Sequence, residues 1–403
     1  MSKKIPVYAA LILMVLAAVI TFNAAFLYFH EKYNTMLNET LASYSYFDQL
    51  LSVDEIVQKY YIGDIDDEEL KASVIRGYLS GIGDKYSTYM TSEEYEAFKD
   101  EQSGNAVGIG VNVIYDSTTG IIEIISVFPD SPAEEADLRE GDIISGVEGQ
   151  SIPEIGYYAA LDRIRGDVGT KVKLTVTRDG KEISVTCERR EVKIISVSYH
   201  VFDGSGEIGV IRISEFNSTT PAQFEEAVKA LQKQGCKKFV FDLRNNGGGE
   251  LNSILDVLDF ILPEGPIAHI YYNTGEEEHY ESDASYLDAE VAVLTNENTA
   301  SAAELFTSAL KDYTEHGDYH AVLVGTQTYG KGVLQRFFML KDGSAFKISV
   351  GKYNPPYSEN YDGIGIAPDV TVELSEEAAG MNFYKLTDQN DNQLIAAVKE
   401  LKK

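Results

Sequence analysis

Apolar residues recur with three different periods in three successive stretches of this chain, and no single layered domain accommodates all three. From about residue 31 to 103 the spacing is helical: Ile56, Val57, Tyr60 and Tyr61 fall on one face. Ser52-Val53-Asp54-Glu55 and Thr91-Ser92-Glu93-Glu94 both have capping-box spacing, which predicts helix starts at Ser52 and Thr91. Asp66 to Glu69 places acids where a helix dipole favours them, ahead of a helix over Leu70–Leu79. From Gly104 to Arg190 the period drops to two, in short strands broken by glycine turns. Arg178-Asp179-Gly180-Lys181 is a hairpin signal, and one helix, Tyr157–Arg165, interrupts the strands. After Val192 strands alternate with amphipathic helices, the pattern of an α/β layer.

The amino terminus adds a separate constraint. Lys3 and Lys4 precede a 23-residue run, Val7 to Phe29, in which only Thr21 and Asn23 are clearly polar. A bilayer core needs about 20 apolar residues as helix, whereas a cleaved signal has an apolar core of about 7–15. The run therefore predicts an uncleaved transmembrane anchor, with the lysines holding the amino end in the cytoplasm. The expected fold class is multidomain α+β. Its parts are a cytoplasmic stub and anchor (1–30), a helical region (31–103), a small β domain (104–190), an α/β layered core (191–375) and a helical tail (376–403).

Charge narrows the partners. Acidic residues number 64 against 34 basic, a formal net charge of −30, which argues against nucleic acid and against adhesion to an anionic lipid surface. Cys187 and Cys236 are the only cysteines; neither has a Cys-x-x-Cys partner, and a disulfide scaffold is not expected. His316 and His320 are four apart, but Gly317 lies between them and they read as loop residues, so no metal site is expected.

Three short segments carry the candidate chemistry. Ser301 follows a strand and a polar turn, and opens an alanine-rich helix. Most serines in that place are only N-caps. Here Ala300, Ala302 and Ala303 leave room for a backbone to approach, and the Ala302 amide at the helix start can face a developing oxyanion. Asp242-Leu243-Arg244-Asn245-Asn246-Gly247-Gly248-Gly249 follows a buried strand. It reads either as a phosphate cradle or as an oxyanion loop offering the Gly247 or Gly248 amide. Lys331 stands between Gly330 and Gly332 and enters an apolar stretch; if that stretch is extended, Gln335 shares its face and can orient the amine. Serine needs a base, and a buried lysine can be one, because burial disfavours its ammonium form.

Together these words resemble the carboxy-terminal processing peptidases, also called tail-specific proteases. The matches are Ala300-Ser301-Ala302-Ala303-Glu304, Gly330-Lys331-Gly332 with Gln335, and Asp242–Gly249, where Gly247 stands at the family's usual proline. Asp84–Tyr89 and Asp362–Asp369 match as well. Residues 104–190 resemble a PDZ domain, with Gly108-Ile109-Gly110-Val111 at the carboxylate-binding loop and Ser131-Pro132-Ala133 and Gly141–Ile144 at its other signature words. Arg165 matches a position where related enzymes carry an arginine that couples peptide binding to activation. The segment Glu315–His320 looks like a longer loop than the family needs.

The resemblance implies a crotonase-like protease core, Ser301 as nucleophile, Lys331 as base and Gln335 as its positioner. Ala302 with Gly247 or Gly248 would form the oxyanion site, and no cofactor or metal is needed. The expected protein is a single-pass plasma-membrane serine endopeptidase whose catalytic domain lies outside the cytoplasm and acts on proteins with exposed carboxy-terminal tails. Helical ends in this family suggest a homodimer as well. The rival readings are a catalytically silent PDZ scaffold that binds tails and, ranked last, an acyl-CoA-type enzyme.

Overall fold

The computed structural model describes Met14, residues 16–17, 19, 21–30, 32, 45–116 and 120–403. The expected anchor, Val7–Phe29, lies partly outside them; no helix of the described residues is long and apolar enough to cross a membrane. The chain divides into two units, residues 1–70 and 71–403.

In the first unit, helix α1 (Ser45–Tyr60) leaves Leu51, Val53, Ile56 and Tyr60 exposed. The expected start at Ser52 is overturned: Ser52 lies inside α1, and its hydroxyl bonds back to the Asp48 carbonyl at 2.9 Å. Mid-helix serines satisfy themselves in this way as readily as they cap.

Helix α2 (Asp67–Gly81) begins after Asp66, whose carboxylate accepts from the Glu68 and Glu69 amides. Strand β1 (Thr88–Met90) follows, then α3 (Ser92–Gln102), which carries the capping box expected at Thr91. Ala72, Leu79 and Tyr89 form a small apolar cluster with Phe346 and Ile348.

The alternating stretch folds as a β domain. Its strands are β2 (Asn105–Gly108), β3 (Val111–Asp116), β4 (Ile121–Val127), β5 (Ile143–Val147), β6 (Gln150–Ser151), β7 (Lys171–Arg178), β8 (Lys181–Glu188) and β9 (Arg190–Lys193). The order β3-β4-β5-β7-β8 makes β3 an edge strand, while β2 and β9 pair where the chain enters and leaves. The Asp179-Gly180 turn has positive φ at both positions (49° and 72°), as a type I′ hairpin requires. Helix α4 (Tyr157–Ile164) covers one face, over a core that includes Ile122, Ile124, Val172 and Leu174.

The remaining strands are β10 (Val197–Val201), β11 (Ile208–Ile213), β12 (Lys238–Asp242), β13 (Gly265–Tyr272), β14 (Glu277–Ser282), β15 (Glu290–Thr295), β16 (Ala321–Gly325), β17 (Val333–Met339), β18 (Ala345–Asn354) and β19 (Val370–Thr371). One sheet runs β10-β11-β12-β15-β16-β19, parallel from β11 onward. Helices α5 (Thr220–Lys233), α6 (Leu251–Ile261) and α7 (Ala302–His316) pack on one face of it through Phe224, Leu258 and Phe306. Helix α8 (Asn392–Leu401) covers the other through Leu394, Val398 and Leu401. Each fully buried Phe or Leu of this kind is worth about 1.5–3 kcal/mol. A second sheet, β1-β18-β13-β14 with β17 on β18, shares the first core through Ile267, Ile270 and Tyr353.

One expectation changes here. Glu315–His320 is not a long loop: α7 runs to His316, Gly317 ends it in the left-handed region, and buried Tyr319 leads straight into β16. Cys187 and Cys236 are both free and buried, in different domains.

Candidate active site

Two loops leave the carboxy ends of adjacent parallel strands, where α/β sheets characteristically present ligand sites. Beyond β12 runs Leu243–Glu250; beyond β15 runs Asn296–Ser301. They are tied side by side: the Thr299 hydroxyl donates to the Leu243 carbonyl at 2.9 Å, and the Ala300 amide to the Asn246 carbonyl at 2.9 Å. The Asn296 and Asn298 amides both donate to the Asn245 side chain. Behind them Asp242 is buried between Arg244 and Arg212. Burial alone would raise its pKa, but the two guanidiniums hold the carboxyl well below the usual range. Arg244 also reaches Asp391 at the start of α8, which anchors the glycine loop from below.

Ser301 ends the second loop with φ 58° and ψ −120°. An ordinary N-cap is extended, so this residue is held in a strained elbow, the kind of backbone that clusters at active sites. The elbow touches the glycine loop. A side chain at Gly248 (φ 101°) would bring its Cβ within 2.7 Å of Ser301 Cβ and 2.9 Å of the Ala302 nitrogen.

Glu304, one turn into α7 and fully buried, fastens the elbow to the lysine loop. Its carboxylate accepts from the Ser301 amide at 2.9 Å and the Lys331 amide at 2.7 Å on one oxygen. The other oxygen accepts from the Thr328 hydroxyl and the Gly330 amide, each at 2.6 Å. Gly330 (φ 87°) has no room for a side chain, because the Ile364-Gly365 backbone lies 2.9–3.0 Å from where a Cβ would be. The Tyr353 hydroxyl on β18 donates to the Lys331 carbonyl at 2.6 Å and lies 3.4 Å from Ser301 Oγ.

Ser301 and Lys331 line one cleft of about 630 Å³, with Gly247, Ala302 and Gln335 in its wall. Burial, followed by the neighbouring charge of Lys347, lowers the Lys331 pKa; Asp84 and Glu304 oppose the shift without cancelling it. The amine sits 4.7 Å from the centre of the Tyr86 ring. A half-buried serine sharing a cleft with an amine biased toward its neutral form is the equipment for acyl transfer.

Comparison with known proteins agrees with this arrangement. The family description "Peptidase family S41" matches residues 207–372, and "PDZ domain" matches 123–178. A probable CtpA-like serine protease of Staphylococcus aureus (strain COL) is 33% identical over 364 residues, covering 89% of this chain and 71% of the relative. The chain belongs to peptidase family S41. A probable CtpA-like serine protease of Staphylococcus saprophyticus is also 33% identical, over 334 residues, 81% of this chain and 66% of the relative. The chain thus spans about two thirds of these relatives' length. A putative S41 protease structure from Bacteroides fragilis shares the fold, at TM-score 0.57 and 19% identity over 81% of this chain and 90% of that one. The S41 serine-peptidase class and the PDZ domain read from the motifs are those the comparisons show.

The other expected site residues fall as follows. Of the two oxyanion candidates on the glycine loop, the Gly248 amide donates to Asn246 Oδ1 at 2.8 Å and is already used. Gly247 and Ala302 face the cleft, and neither amide has a backbone acceptor among the described residues. Gln335 lines the cleft, but its amide donates to the Val333 carbonyl at 3.0 Å and to Ser349 Oγ at 3.3 Å. Lys331 precedes β17 rather than lying in it, and the ladder is irregular between Leu334 and Gln335, so the simple alternation expected of an extended stretch does not hold. Among the described residues Lys331 Nζ makes no hydrogen bond to Gln335 or to Ser301.

In the PDZ domain Gly108 ends β2, Ile109 and Gly110 form the turn, and Val111 opens β3. The carbonyls of Ile109 and Gly110 accept from Ala133 and Phe128, at 2.8 and 2.9 Å, while their amides have no acceptor among the described residues. Tyr115 of β3 stacks on Tyr157 of α4 with ring centres 4.6 Å apart. Arg165 lies exposed just beyond the carboxy end of α4 and makes no ion pair among the described residues. No group of three metal-ligating side chains occurs among the described residues. His316 instead stacks on Tyr357 at 4.1 Å.

Sequence reasoning named Glu304 and Tyr86 only as parts of matched segments and missed Tyr353 and Lys347. The three-residue spacing from Ser301 to Glu304 is the one signal that could have found a partner.

Proposed function

We propose that this chain is a membrane-anchored serine endopeptidase working outside the cytoplasm, in which the PDZ domain docks the carboxy-terminal tail of a protein substrate. The free edge of β3 and the unused amides of Ile109 and Gly110 favour β-augmentation by an extended peptide ending in a carboxylate. The apolar run at Val7–Phe29 favours the anchor.

The observation that carries the chemistry is the strained Ser301 elbow sharing a cleft with a lysine biased toward the neutral amine. Ser301 Oγ attacks the scissile carbonyl as its proton passes to Lys331 Nζ. The new oxyanion is met by the Ala302 and Gly247 amides. Collapse breaks the C–N bond, and the Lys331 ammonium returns its proton to the departing amine. Water, deprotonated by the same amine, then frees the acyl group. Gln335 orients the lysine once substrate fills the cleft, because apo contacts of this kind tighten on binding.

Digestion of a tailed protein by the full chain, by Ser301→Ala and by Lys331→Arg tests the reading. Loss of cleavage in both variants, with folding intact, is the expected result. Retained cleavage by Ser301→Ala rules out the nucleophile, and retained cleavage by Lys331→Arg rules out the base, since arginine does not surrender its proton. The second reading, a silent tail-binding scaffold, is favoured by one observation: Lys331 and Ser301 make no direct hydrogen bond. It predicts tail binding with no turnover by the unaltered chain.

A further inference from the structure

The cleft holds a second half-buried lysine that the mechanism leaves unused. Lys347 lies in the middle of β18, opposite Phe337 of β17 and Thr88 of β1, so strands on both sides fix its backbone. Its side chain lines the same cleft as Ser301 and Lys331. Among the described residues its ammonium makes no ion pair and no hydrogen bond; its neighbours are the Phe337 ring, 5.9 Å away, and the like charge of Lys331.

The chain carries 64 acidic residues against 34 basic ones, yet among the described residues no carboxylate pairs with this half-buried ammonium. The other non-catalytic lysine of the cleft, Lys99, is taken by Glu96 at 2.7 Å. The one carboxylate in the cleft wall, Glu250, pairs with neither lysine. A lysine withdrawn from water without a counter-ion raises the free energy of the empty cleft, and an incoming carboxylate relieves it. Burial lowers the pKa of Lys347, as expected of an unpaired cation.

We infer that Lys347 is a substrate subsite for a carboxylate, so that peptides presenting one at a fixed distance from the scissile bond are preferred. This rests on the protease reading above and adds a substrate class to it. The carboxylate has two possible sources: an Asp or Glu side chain, or the terminal carboxylate of a tail cut close to its end. The rigid strand position of Lys347 demands a fixed spacing in either case.

The test uses the full-length chain and quenched fluorescent peptides that differ only in Glu against Gln at successive positions around the bond. A second set has free or amidated carboxy termini. A charge-assisted hydrogen bond of this kind should give about 10-fold to 100-fold higher kcat/KM for the carboxylate at one position. A preference for Glu over Gln assigns the side-chain source, and a preference for the free terminus assigns the terminal one. Lys347→Gln should erase the preference and Lys347→Arg should retain it, which separates a charge contact from a folding defect. Equal cleavage of every pair by the unaltered chain overturns the subsite and leaves the protease reading standing. If no peptide is cut in a Ser301-dependent way, the protease reading fails. The subsite is then read by anisotropy on Ser301→Ala: carboxylate peptides should bind at least about 10-fold tighter, and lose that margin in Ser301→Ala/Lys347→Gln. Equal binding overturns it.

Discussion

Glu304→Gln is the sharpest perturbation of this site, because it changes charge with almost no change of shape. Each carboxylate oxygen of Glu304 accepts two donors: Ser301 and Lys331 amides on one, Thr328 hydroxyl and Gly330 amide on the other. An amide must turn its own N–H₂ toward one of these pairs. Facing Thr328, whose hydroxyl can reverse, it strands the Gly330 N–H; facing the other pair, it strands two N–H groups. Each stranded buried donor costs about 1–3 kcal/mol. The variant should therefore lose about 1–3 kcal/mol of core stability in its better orientation, seen as a lower urea midpoint for the core transition. Activity should fall further than stability, because the elbow and the lysine loop lose their common tie and an error of about 1 Å costs about 10²-fold in rate. Glu304 also raises the Lys331 pKa, so removing its charge should move the acidic limb of the rate profile to lower pH. An unchanged urea midpoint together with kcat/KM within twofold of the parent would refute the idea that Glu304 holds the two loops together.

Further expectations follow from the same geometry. Gly248→Ala places a methyl within van der Waals conflict of Ser301 and Ala302, and should cut kcat by about 10²-fold while peptide binding at the PDZ domain is unaffected, read by steady-state kinetics and anisotropy. Tyr353→Phe removes the donor to the Lys331 carbonyl and should lower kcat about 10-fold with KM little changed, measured on a short peptide. Lys347→Met removes the positive charge that helps lower the Lys331 pKa, so the acidic limb of kcat/KM should move to higher pH. Tyr115→Ala opens the end of the groove between β3 and α4, and should change tail affinity, measured by anisotropy, without changing kcat on an untailed peptide.

What was legible in the sequence was local. Thr91 with Glu94, Asp179-Gly180 and the helix read over Tyr157–Arg165 depend on neighbours a few residues apart; the first two formed as read, and the helix runs Tyr157–Ile164 with Arg165 as its cap. Ser52 failed because a capping-box spacing also fits a serine in the middle of a helix. The candidate segments stood out as short words, but what holds them together did not. Tyr353 meets Ser301 across 52 residues and Lys331 across 22, and nothing in local spacing announces such a contact. Gly247 and Gly248 were equivalent as letters; only the Asn246 side chain, which occupies one amide, tells them apart. Gln335 could be placed in the cleft but not aimed, because an irregular strand start overrides simple alternation. Lys347 drew no reading at all, because only the fold brings it into the cleft with Lys331.

The central claim is that Lys331 is available as a neutral amine. Selective ¹³C labelling of lysine side chains, with Lys331→Arg to assign the signal, allows its titration to be followed by NMR in Ser301→Ala. The account predicts a midpoint below the ordinary lysine value of 10.5, matching the acidic limb of kcat/KM in the active chain. A Lys331 signal that titrates at or above that value, in a chain whose Ser301-dependent cleavage persists near neutral pH, would contradict it.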